Sequence, residues 1–149
     1  MPTITYSKFE LAENQLETAI GLFVSGGDKF SVITLAGAAD VILCQLVKNM
    51  GKENFTEHSL KSDQEATVNN HTTKQYGKYI NNLFFINDLK HLDKDGSDTV
   101  NMNIDECALG TIAKAVVNVV TLTGGNENYI KAFITWSKLN LDPNVYDIR

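Results

Sequence analysis

Arginine is nearly absent from this chain: its one copy is the last residue, Arg149. Bidentate recognition of phosphate is an arginine speciality, so lysine would have to carry any such contact. Proline is scarce too, with two in 149 residues and no low-complexity run, which argues against disorder and linkers. No stretch approaches about 18 consecutive apolar residues, so neither a transmembrane helix nor a membrane partner is expected. The first residues lack a basic region followed by an apolar one, so no signal peptide is expected and the sequence reads as cytoplasmic. The two cysteines, Cys44 and Cys107, each fall inside an apolar helical pattern and read as buried free thiols of a reducing compartment. There is no CxxC, no Cys/His pair at zinc spacing, no P-loop, no Rossmann glycine set and no G-x-S-x-G, so no metal or cofactor is expected. Acidic residues outnumber basic ones, 18 to 13, for a net charge of −5. That disfavours a broad nucleic-acid surface, which draws on phosphate neutralisation, and leaves room only for a local one.

What is present is helical periodicity. A chain of this size fits a single domain over 1–149, burying about 70% of its unfolded surface without help from disulfides or metals. Residues 7–24 carry Phe9, Ala12, Leu16, Ala19, Ile20 and Phe23 at helical spacing, ended by Ser25-Gly26-Gly27. Asp28 is the expected N-cap of a second helix over 29–50, with Gly51 as its stop. Its stripe is Val32, Ala36, Ala39, Leu43, Val47 and Met50; Ala38, Val41 and Ile42 lie off it, so the helix is apolar nearly all round and reads as central. Residues 52–73 are polar and predict a loop with at most one weak amphipathic helix. A third strong helix is predicted over 73–92, with Tyr76, Ile80, Leu83, Asn87 and His91 on one side and Phe85, Leu89 and Leu92 on the other. A two-faced helix must bury both faces, and Phe85, Leu89 and Leu92 are the expected interface of a homodimer. A fourth helix starts near Asp105 as cap, with Ile104 and Leu109 as a hydrophobic staple, runs along Leu109, Ile112, Ala113, Val116 and Val120, and stops at Gly124-Gly125. A fifth runs from Asn126 as cap to about Leu139. The expected fold is all-α, an up-and-down bundle of four long helices plus one or two short ones.

Two polar anomalies stand out. Asp40 falls inside the apolar stripe of the second helix, among the small residues of Thr34-Leu35-Ala36-Gly37-Ala38-Ala39. A carboxylate there needs a cationic or hydrogen-bonding partner, and Asn87, Lys90 and His91 are the best candidates. It could equally sit at the stripe's edge and reach water. Asn87 and His91 are four apart on the third helix and share a face, with Lys90 beside them. A histidine can exchange protons near neutral pH. Cations at a helix C-terminus also suit its dipole with no further role. Other signals are weak. Asp93-Lys94-Asp95-Gly96-Ser97-Asp98 places its glycine fourth, where a calcium loop of the EF-hand type wants it sixth, and Ile104 stands where the closing glutamate belongs. His58, His71 and His91 form no metal spacing. Tyr76, Tyr79, Phe84 and Phe85 read as core or interface rather than base-stacking residues.

The small-residue run ending at Asp40, the segment Asn87-Asp88-Leu89-Lys90-His91 and the helix start Ile104-Asp105-Glu106-Cys107-Ala108 together resemble the HEPN superfamily, over residues 7–124. The resemblance implies a helical bundle that dimerises and, in active members, cleaves RNA without metal. Its motif is an arginine, commonly followed by a polar residue, then a histidine four to six residues on. His91 matches the histidine and Asn87 the polar residue, but the arginine position holds Ile86. Arginine would stabilise phosphorane charge, and Lys90 could replace its charge but not its planar fork. Three functions remain open. The leading one is a non-catalytic dimeric interaction or ligand-binding module, with Asp40 and His91 as binding residues. The second is a weak metal-independent ribonuclease using His91, Asn87 and Lys90. The third is a small-molecule pocket between helices two and three, with Asp40 in its lining.

Overall fold

The computed structural model describes residues 1–66, 75, 86, 89 and 98–146. Among these the chain is all-helical and has no strand. The expected third helix lies outside the described residues, except that Gln75, Ile86 and Leu89 are helical.

Helix α1 spans Lys8–Val24. Ser7 caps it with a reciprocal box, its hydroxyl accepting from the Glu10 amide while the Glu10 carboxylate accepts from the Ser7 amide, each at 3.0 Å. The chain turns at Gly26, whose φ of 77° suits glycine. Helix α2, Lys29–Asn49, follows directly, with the Asp28 carboxylate accepting from the Ser31 amide. A 12-residue helix α3, Phe55–Ala66, fills the polar stretch where a loop with at most one weak helix was expected. Its apolar content is low, but Asn54 supplies a cap, its Oδ1 accepting from the Glu57 amide at 2.8 Å. Helix α4 is Ile104–Thr123 and helix α5 is Asn128–Asn140. The cap of α4 is Asn103, which accepts from the Glu106 amide, rather than the expected Asp105. Asp105 instead pairs with Lys29 at 3.4 Å, tying the starts of α2 and α4 together. The helix ends as expected on Gly124, in the left-handed region at φ 88°. Glu127, not Asn126, occupies the N-cap of α5, and it caps with no side-chain bond.

Helix α2 is central, packed extensively against both α1 and α4. Leu16 and Ala19 of α1, Val32, Ile33, Ala36 and Leu43 of α2, Ile112, Ala115 and Val119 of α4 and Ile130 of α5 are fully buried in one core. Near its edge the Trp136 ring meets Phe23 edge-on at 5.1 Å and stacks on Phe133 at 6.3 Å. The predicted stripe of α4 is buried at Leu109, Ile112 and Val116, but Val120 is exposed, and the buried surface widens to take in Thr111, Lys114 and Asn118. Helices α2 and α4 have the length and mean hydropathy, 1.9 and 1.3, of membrane-crossing helices, although neither is an unbroken apolar run. The central helices of a bundle reach the same values by burying their apolar stripes against each other.

Candidate functional site

The wider buried face of α4 brings a polar stripe against Asp40. Spacings of three and four place Thr111, Lys114 and Asn118 on one face of the helix, and that face meets α2. The Lys114 ammonium lies 2.5 Å from Asp40 Oδ2, with the two side chains only 4% and 2% exposed. Asn118 donates from Nδ2 to Asp40 Oδ1 at 2.7 Å and to the Cys44 sulfur at 3.2 Å. The Cys44 thiol, one turn beyond Asp40, donates to Oδ2 at 3.4 Å. Both carboxylate oxygens are therefore engaged, as a buried charge requires. The network continues outward. Asn118 Oδ1 accepts from the Phe55 amide at 2.9 Å, and Asn54 Nδ2 donates to the Cys44 carbonyl at 3.3 Å. One polar cluster thus joins α2, α4 and the start of α3.

Its electrostatics make it chemically quiet. Burial pushes the Cys44 thiol up to about 12, and the Asp40 charge adds to that, with Lys114 opposing. The thiolate is the reactive form of cysteine, so Cys44 is no nucleophile near neutral pH. Cys44 and Cys107 are both free, Cys107 buried and Cys44 half-buried. Among the described residues no group of three or more His, Cys, Asp or Glu side chains is placed to hold a metal ion.

Of the residues singled out in the sequence, Asn87, Lys90, His91, Phe85 and Leu92 lie outside the described residues. Asp40 is buried as a stripe residue, not an edge one, and the partners described for it come from α2 and α4. Lys114 and Asn118 escaped the sequence reading because Lys and Asn on a helix are usually solvent-facing. The available signal was their spacing with Thr111 on a helix too apolar to have only one inside face. Ile86, at the position of the motif's arginine, is 2% exposed. It packs on α2 so closely that a Cβ built on Gly37 would stand 2.9 Å from Ile86 Cγ2. Leu89, half-buried, lines an open hollow of about 400 Å³ on α2 with Phe30, Ser31, Thr34 and Leu35. Asp40 is not part of that lining. Compared with family models, with curated proteins and with solved structures, the chain matches none.

Proposed function

We propose that the chain is a HEPN-like, up-and-down bundle of four long helices that acts as a non-catalytic, dimeric interaction module. The observation that carries this reading is the buried Ile86. The position that would hold a phosphate-binding arginine is packed into the core against Gly37. The acidic net charge of −5 supports it, because it disfavours the phosphate neutralisation on which a broad RNA surface draws. The dimer face in this reading is the predicted stripe Phe85-Leu89-Leu92. Its described member, Leu89, borders the hollow beside Phe30, a phenyl ring left 52% exposed.

Light scattering coupled to size exclusion at micromolar concentration tests the dimer. The wild type should run at twice the monomer mass and Phe30→Asp at the monomer mass; a monomeric wild type sinks the dimer. Incubation with RNA in EDTA tests the absence of catalysis. Wild type and His91→Ala should leave RNA equally intact, whereas cleavage that disappears with His91 would replace this reading with that of a ribonuclease.

A further inference from the structure

A second apolar concavity lies between α4, α5 and the turn over residues 142–146. It is open, with a volume of about 640 Å³. That is within the range of small-molecule sites. Its floor is core: Leu109, Val116 and Phe133 are buried. Its walls are aliphatic and exposed, with Val117 at 44%, Val120 at 37% and Ile134 at 36%. Scattered exposed valines need no explanation, but several converging on one concavity do. The serine and threonine hydroxyls along it are already used. The Ser137 hydroxyl donates to the Phe133 carbonyl at 2.9 Å, and the Thr121 hydroxyl to the Val117 carbonyl at 2.9 Å. Among the described residues no serine or threonine of the lining asks for a polar ligand, and the exposed walls are aliphatic, so they suit a hydrocarbon chain.

Among the described residues the lining carries one charge, Lys138. Its ammonium has no carboxylate within ion-pair distance among the described residues, in a chain whose net charge is −5. Its place in the last turn of α5 suits the helix dipole. The dipole does not explain why the turn also borders an apolar groove.

We propose that the groove between α4 and α5 binds an aliphatic carboxylate, its chain lying along Val117, Val120 and Ile134 and its carboxylate meeting Lys138. The site is separate from the hollow at Phe30 and Leu89, so it stands whether or not the chain dimerises there.

The only tryptophan, Trp136, stacks on Phe133 of the groove floor and gives an intrinsic readout. Decanoate, decanol and decyltrimethylammonium are titrated below their aggregation limits, with far-ultraviolet circular dichroism confirming an intact fold. Decanoate should shift the Trp136 emission saturably, with decanol weaker by about fivefold and the cation weaker still. Octanoate should bind more weakly than decanoate, because a shorter chain buries fewer methylenes. Lys138→Gln should bring decanoate down to the level of decanol, and Val117→Glu should abolish binding of both. No saturable shift with decanoate overturns the site. Equal binding of the three head groups, or a Lys138→Gln variant that still prefers decanoate, overturns the assignment of the carboxylate to Lys138.

Discussion

Lys114 and Asp40 form an ion pair in which both side chains are almost fully buried. Removing one partner of a buried ion pair strands a charge away from water, at a cost of about 3–5 kcal/mol. Lys114→Ala and Asp40→Ala should each destabilise by that amount in urea titrations. Combining Asp40→Asn with Lys114→Met leaves an amide oxygen for Asn118 and removes both charges of the pair. The double variant should therefore be more stable than the sum of its two single changes allows. Strict additivity would show that charge pairing is not the cause. Asp40 was conspicuous in the sequence as a carboxylate inside an apolar stripe, but its partner was not legible. The pair is made between residues 74 positions apart, and the spacing of Thr111, Lys114 and Asn118 marks a polar face of α4 without saying which residue of another helix it meets. The same limit explains Ile86. Its apolar nature was plain, but its close fit over Gly37 is a tertiary fact.

At the scale of the element, the starts and stops written in the nearest residues were readable. The Asp28 cap and the Gly124 stop occupy the expected positions, and the Ser7 capping box stands at the expected start of the first helix. Asn103 displaced Asp105 as cap because any short polar acceptor just before the first turn will serve, and the sequence offers both. Helix α3 was the poorest reading, since its apolar residues are few. Its start rests on Asn54, which caps the helix and also reaches the Cys44 carbonyl. Asn54→Ala should cost about 1–2 kcal/mol, with loss of helix signal beyond that of Ser7→Ala. An unchanged unfolding midpoint would mean that α3 is held by other contacts.

For the molecule as a whole, alkaline pH is the vulnerable side. An unfolded cysteine titrates near 9.0, whereas the folded Cys44 thiol holds its proton to about 12. Between those values the unfolded chain binds fewer protons, so stability is complete below pH 9 and falls as pH rises through the window. Tyr129 acts in the same direction from about pH 10, because burial and the neighbouring Glu13 carboxylate raise its hydroxyl. The urea midpoint should drop between pH 8 and pH 10.5, less steeply in Cys44→Ala; a flat wild-type profile would contradict the buried thiol. The placing of the charge pair also orders the assembly of the fold in time. Helices α1 and α2 meet across a turn of a few residues and can associate early, whereas Asp40 and Asn118 are 78 residues apart. Contacts across so long a loop form late, since closure entropy precedes their reward. Asp40 must therefore wait in water on the first helix pair, and its dehydration coincides with the arrival of α4. Folding should become committed at that docking step.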